Sequence, residues 1–339
     1  MINGSGSALP GTPQAFCYCN AFYPALPFAQ VEEPLVSIVV PTLNSARTVR
    51  RTMESLRSLD YHNFEVVVVD GLSEDETLRI VEEFQAYYHL RVVVEPRRGR
   101  GVAYNRGIQE SRGKYVAFLD SDATVATPTW IKRVVEVMER DPQVGVVFTK
   151  VFAPPDSSFL QKSIDTFLCK GSTTANGAVY RREAVLKVGG FNQAMNYMQE
   201  DELLYRLRRS GYSSVVNQID FVYHYHRASL VSYLRQNAEA AVGARTYYAL
   251  TGERRSLVDS AVRLGLLWGS LAAVGALALF HLYAFIPLLA VLGYTGLLVK
   301  VQRETCRQYK LSKYLLGAPL LIYLSLLGFS LGLVRRDGE

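Results

Sequence analysis

"YVAFLDSDAT", residues 115–124, is an apolar run from Tyr115 to Leu119 that breaks into Asp120, Ser121 and Asp122. A short run without polar alternation, closed by turn formers, predicts a strand covered on both faces. The chain then sets down two carboxylates at the point where burial stops. In an open α/β sheet that position, beyond the carboxyl end of a strand, is where ligands collect.

The same rhythm repeats on either side. Residues 36–40 predict a buried strand ended by Pro41, and Val49, Met53 and Leu56 follow at helical spacing with Asn44 or Ser45 available as the cap. The Val-rich segment 64–69 ends in Asp70, after which Ser73 and Glu76 make a capping box for a helix through Ile80, Val81 and Phe84. Further strands are predicted over 91–94, 115–119 and 144–148, with a helix over 101–109 and another capped by Thr127 with Pro128 in its first turn. Strands alternating with helices predict an α/β fold with a mostly parallel sheet and flanking helices.

Polar residues gather at the strand ends: Pro41, Thr42 and Asn44 after the first, Asp70 at the second, the basic loop 97–101 after the third, Asp120 and Asp122 after the fourth. A dinucleotide glycine fingerprint and a Gly-Lys-Ser phosphate loop are both missing, which excludes a soluble dehydrogenase and asks for another ligand.

With 339 residues the chain has room for one large domain and something smaller. Between Leu264 and Val299 the only side chain titrating near neutrality is His281, and residues 314–334 carry no charge. Each block exceeds the roughly 20 apolar residues that cross hydrocarbon, and the first is long enough for a hairpin of two spans. About three spans are therefore expected. The formal net charge is +6, with Arg254, Arg255 and Arg263 before the first block and Lys300, Arg303, Arg307, Lys310 and Lys313 before the last. Such clusters mark cytoplasmic flanks and favour anionic headgroups, whereas no basic and aromatic array for nucleic acid is found. Arg335 and Arg336 follow the last block, so a third crossing carries them outside, against the same rule. Cys17, Cys19, Cys169 and Cys306 have neither zinc nor disulfide spacing.

The organisation read from these patterns is an irregular leader over 1–34, an α/β domain over 35–226, an amphipathic or interfacial helical linker over 227–259, membrane spans within 260–334 and a tail over 335–339. The expected location is the cell membrane, multi-pass, with the α/β domain in the cytoplasm.

Taken in order, "VSIVVPTLNSARTV", "FEVVVVDGLSEDET", "AYNRGIQESRGKYVAFLDSDA", "NGAVYRREAVLKVGGFNQ" and "QEDELLYRLRRSGY" resemble a family 2 glycosyltransferase of the GT-A fold. The resemblance runs from about residue 36 to about 212, nearly the whole soluble part, and implies a Rossmann-like GT-A sheet. It implies a nucleotide-diphosphate sugar donor of UDP or GDP type, transfer with inversion, and Mg²⁺ or Mn²⁺ as cofactor. A diphosphate leaving group gathers negative charge, which a hard cation held by oxygen ligands offsets. Asp122 matches the family's metal aspartate, and Asp120 would touch the ribose or share the metal. Asp70 matches the base-reading aspartate, with Pro41, Thr42 and Asn44 as the wall beside it. Arg98 and Arg100 are placed to meet the diphosphate.

Glu200 and Asp201 open a helix that carries Arg206, Arg208 and Arg209 near its end and stops at Gly211. The helix dipole and C-cap alone favour that arrangement. The resemblance makes Asp201 the general base for the acceptor hydroxyl and Glu200 its partner. Some GT-A enzymes add a late histidine to the metal, and the spacing leaves both His224 and His226 open for it, His224 being the candidate carried forward. The Gln-x-x-Arg-Trp motif of processive members is absent, since the chain has Arg235-Gln-Asn-Ala238. The expectation is transfer of one sugar to a membrane-associated acceptor, a lipid-linked glycan or glycolipid. Direct transfer to a polyprenyl phosphate is the alternative enzyme, and a non-catalytic membrane scaffold the alternative of another class.

Overall fold

The computed structural model describes residues 33–168, 171, 173–226, 229–253 and 306–334, with isolated helical positions 265, 268, 269, 272, 293, 296, 300 and 303. Nearly all of the expected leader, most of the expected two-span hairpin, the arginines at 254, 255, 263, 335 and 336, the tail, and Cys17, Cys19 and Cys169 lie outside the described residues.

Three β/α units come first: β1 (Val36–Thr42) and α1 (Val49–Leu56), β2 (Phe64–Asp70) and α2 (Thr77–Glu82), β3 (His89–Val94) and α3 (Arg100–Glu110). They are followed by β4 (Tyr115–Phe118), the short β5 (Ala123–Val125), α4 (Trp130–Arg140), β6 (Val144–Phe152) and α5 (Phe159–Leu168). Then come β7 (Val179–Arg181), α6 (Arg182–Lys187), α7 (Gln199–Arg209), β8 (Ser213–His224), α8 (Leu230–Thr251) and, after an intervening segment, α9 (Ala318–Val334).

One eight-stranded sheet has the order β3-β2-β1-β4-β7-β6-β8-β5. The β3-β2-β1-β4 half is parallel, as is the β6–β8 pair, while β7 runs antiparallel to β4 and β6, and β5 antiparallel to β8. Both faces are covered, which is why the strands read as continuous apolar runs. Ile38 and Val40 pack with Met53, Phe84 and Trp130 on one face, whereas Val39 packs with Tyr104, Phe118 and Leu203 on the other. Gly107 lets α3 sit on β1, because a Cβ there would stand 2.3 Å from a Val39 methyl.

Three expected caps are not formed. The N-cap of α1 is Thr48, without a side-chain bond; Asn44 instead turns at φ 50° and its Oδ1 accepts from the Glu74 N–H at 2.8 Å. Ser73 does not cap α2, because its hydroxyl and N–H donate to Asp70 at 2.6 and 2.8 Å. A buried carboxylate is the stronger acceptor for these donors, and the Thr77 N–H is taken by Asp75 instead, at 3.0 Å. Thr127 bonds the backbone of Phe221, and α4 starts from Thr129.

The helical linker expected over 227–259 contains α8, capped by Ser229 and Ser232. Among the described residues one helix, Lys313–Leu333, is long and apolar enough to cross a membrane, with 21 residues and a mean hydropathy of 1.9.

Candidate active site

Parallel pairing of β1 and β2 sets Thr42 opposite Asp70 at the strand ends. The Asp70 carboxylate is buried and held by three donors: the Thr42 hydroxyl at 2.9 Å and the Ser73 hydroxyl and N–H. Pro41 is half-buried beside it and Asn44 is exposed at the rim.

The basic loop separates its arginines. Arg97 makes a two-pronged bond to Glu95 at 2.8 and 2.9 Å, and Arg98 is exposed. Gly99, at φ 131°, turns the chain into α3, a conformation that a side chain would strain. Arg100 opens the helix and lies in the field of Tyr104, Asp120, Glu200 and Tyr197. Of the two arginines expected at a diphosphate, Arg100 is brought to the carboxylates and Arg98 stays on the loop.

Across the strand ends, Asp120, Asp122 and His224 converge, each offering a ligand atom, all within 4.8 Å of one another. Antiparallel pairing of β5 with β8 sets Ala123 opposite His224 and so delivers Asp122 to the imidazole, Nε2 to Oδ1 3.2 Å. Asp120 is fixed through its N–H to Asn176 Oδ1 at 3.1 Å and through the Tyr104 hydroxyl at 3.2 Å. Burial alone would raise the Asp122 carboxyl, but the bond and charge of His224 outweigh it and hold it below the usual range. Burial likewise depresses His224, and Asp122 more than reverses this, so the imidazole sits above its ordinary value. Two carboxylates and one imidazole suit a divalent cation such as Mn²⁺, which accepts oxygen and nitrogen ligands.

His226 does not join this group. Its Nε2 lies 2.7 Å from Asp165 Oδ1, and both side chains are buried. Of the two histidines, it is His224 whose imidazole meets the carboxylates.

Glu200 and Asp201 enter α7 after Met198, whose φ of 58° turns the chain sharply. Glu200 is only 8% exposed, unlike an ordinary solvated acid at a helix start. Its Oε1 meets the Ala175 N–H at 3.4 Å, and Asp201 Oδ1 accepts from the Thr173 hydroxyl at 2.7 Å. Burial pushes both carboxyls above the usual range, against the Glu200 and Ala175 N–H groups and Arg100 for Glu200, and against Thr173 and Arg208 for Asp201. Glu202, also buried, is instead paired with Arg206 at 2.6 Å, the kind of contact that stabilises the helix.

Sequence reasoning missed Tyr104, Thr173 and Asn176, which fix Asp120 and Asp201. Tyr104 and Asn176 stand inside quoted blocks, "AYNRG" and "NGAVY", but only tertiary contact shows what they hold. Thr173 precedes its block and carried no signal.

Comparison with known proteins bears on the fold and the family. The chain is 35% identical over 104 residues to glycosyltransferase AglE of Haloferax volcanii, covering 30% of this chain and 34% of that one. It is 26% identical over 244 residues to an uncharacterized glycosyltransferase of Haemophilus influenzae, covering 66% and 81%. The chain spans 25%, 27% and 34% of the length of three curated relatives it matches. The fold is that of a mannosyltransferase from Pyrobaculum calidifontis solved with GDP-Man and Mn²⁺, with a TM-score of 0.60, 21% identity and coverage of 85% and 86%. Residues 37–201 match the family described as "Glycosyl transferase family 2", so the chain carries a domain of that family.

Proposed function

We propose that the protein is an inverting, metal-dependent glycosyltransferase that moves one sugar from a nucleotide-diphosphate sugar to a membrane-associated acceptor. The observation that carries this reading is the convergence of Asp120, Asp122 and His224 near Arg100, with the buried Glu200, next in the chain to Asp201, in the field of the same arginine. The Pyrobaculum mannosyltransferase binds a GDP sugar and Mn²⁺, which supports a donor and cofactor of the same kind here.

Asp70, held by Thr42 and Ser73, is a fixed acceptor for an N–H of the nucleobase, with Pro41 and Asn44 as the wall. Asp120, Asp122 and His224 would hold Mg²⁺ or Mn²⁺, which offsets charge on the leaving diphosphate. Arg100 adds a fixed cation on the same side, and Arg98, in the same loop, would join it when the donor is bound. Asp201 takes the proton of the acceptor hydroxyl as its oxygen bonds to the anomeric carbon and the bond from that carbon to the diphosphate breaks. A raised carboxyl suits this task, because a more basic carboxylate draws the proton harder. Glu200, beside it and facing Arg100, fixes the start of α7.

The apolar helix at 313–333, the block at 264–299 and the basic clusters support residence in a membrane with the catalytic domain on the cytoplasmic face. A donor-hydrolysis screen across UDP and GDP sugars, with equilibrium binding of UDP and GDP measured with and without Mn²⁺, tests the reading. Metal-linked binding of one nucleotide and hydrolysis of its sugar are expected. Binding of neither would overturn it in favour of a scaffold. A polyprenyl phosphate acceptor is already ionised, so transfer that survives Asp201→Asn would point to that acceptor class or to a base elsewhere.

A further inference from the structure

The helix apolar enough to cross a membrane does not stand away from the catalytic domain. Its first turns meet α5: a Cβ at Gly317 would lie 2.3 Å from the Ser163 hydroxyl and 3.2 Å from the Phe159 ring, and Tyr314 and Phe159 have ring centroids 5.5 Å apart. Farther on it runs beside α8 in the same direction. Ser325 bonds Asn237 at 2.6 Å, Gly328 faces the Leu234 carbonyl, Gly332 faces the Ala238 carbonyl, and Arg245 donates to the Leu333 carbonyl at 3.0 Å. The glycines allow this close approach, since a Cβ at Gly332 would be 2.0 Å from the Ala238 oxygen.

Helix α8 is itself pinned to the catalytic domain. It begins shortly after His226, which is buried against Asp165, and near its middle Glu239 accepts from the Tyr197 hydroxyl at 2.5 Å. Its last residue, Thr251, accepts from the Tyr205 hydroxyl at 3.3 Å. A helix of 22 residues, about 33 Å long, fastened in this way lies along the domain. A helix packed beside it does too.

From this geometry we infer that α9 is not a span: it lies along α5 and α8, partly embedded in one leaflet, and returns the C-terminus to the side of the catalytic domain. The inference rests on the membrane residence proposed above. Its occupant is the lipid surface, recognised by two features. Val231, Phe159, Leu316, Leu320 and Leu331 are all at least half exposed around the helix pair, with Leu316 at 83%. Lys300, Arg303, Arg307, Lys310 and Lys313 precede the three leucines, a cationic run that complements anionic headgroups. A separate observation agrees: Arg335 and Arg336 follow α9, and if it does not cross they stay with the other basic clusters, so the charge conflict in the sequence disappears.

The test uses the full chain in native membranes, with Cys17, Cys19, Cys169 and Cys306 replaced by Ser. Gly338→Cys and, as the reference for the catalytic domain, the exposed Glu54→Cys are treated separately with a membrane-impermeant maleimide before and after the membrane is opened. Equal behaviour of the two sites, both protected until opening or both labelled from outside, is expected. Labelling of one side's site alone, with the protein resisting alkaline carbonate extraction, overturns the inference and leaves membrane residence intact. Release of the protein by carbonate overturns both. Because Cys306 is buried, the labelling is repeated with Cys306 retained, and both backgrounds must agree in the result.

Discussion

The two ends of the candidate site treat the same chemical group in opposite ways. At the β1–β2 end, Asp70 is buried but receives three fixed donors. Near α7, Asp201 receives one side-chain hydroxyl and Glu200 one long N–H contact, and burial raises both. At the second site, burial with few donors favours the proton on a carboxylate. The first arrangement makes a rigid acceptor for recognising a ligand; the second makes a carboxylate ready to take a proton.

The largest effect expected from this contrast is at Asp201. Asp201→Asn should lower transfer to a hydroxyl acceptor by about 10²–10⁴-fold while leaving the Kd for nucleotide unchanged. Near-normal transfer would place the base elsewhere or make the acceptor a phosphate. Asp122→Asn follows, with turnover at ordinary Mn²⁺ falling by at least about a hundredfold if a cation stabilises the leaving group. Steady-state rates across a Mn²⁺ titration check it, and full activity would remove Asp122 from the metal.

The pH dependence has a definite sign. As the proposed base, Asp201 must be ionised, and its carboxyl lies above the ordinary range, so the acid limb of kcat should sit at higher pH than a solvated aspartate would give. Because the folded-state value exceeds the unfolded one, the folded protein binds the proton more tightly. Stability from this group is greatest below the unfolded value and falls as pH rises through the window up to the folded one. Asp201→Asn should flatten that part of the stability profile, measured by thermal unfolding over pH.

Smaller effects separate the two histidines and test the Asp70 end. His226→Ala should cost about 1.5–3 kcal/mol of stability by stripping a partner from buried Asp165, with Mn²⁺-linked nucleotide binding retained. His224→Ala should do the reverse, raising the Mn²⁺ needed for half-maximal binding at little cost in melting temperature. Thr42→Val should cost about 1 kcal/mol, because Asp70 keeps its two bonds from Ser73.

The local apolar patterns of β1, β2 and β4 identified the parallel half of the sheet, and the acids at their ends were legible because a strand buried on both faces leaves few other places for charge. The caps at Asn44 or Ser45, Ser73 and Thr127 were misread, since a side chain near a helix start can find another partner, as Ser73 finds Asp70 and Thr127 the backbone of Phe221. Strand β5 escaped notice because three residues carry no period.

By itself, then, the sequence determined that this is an α/β chain with carboxylates at the strand ends and an apolar C-terminal part, because burial and periodicity are local properties. Only the tertiary structure decided that His224 and not His226 meets Asp122, and that Arg100 and not Arg98 faces the acids. The register of β5 on β8 and the helix start at Arg100 fix those choices. Neighbouring residues in the chain share composition and spacing, and only long-range packing sends their side chains to different places.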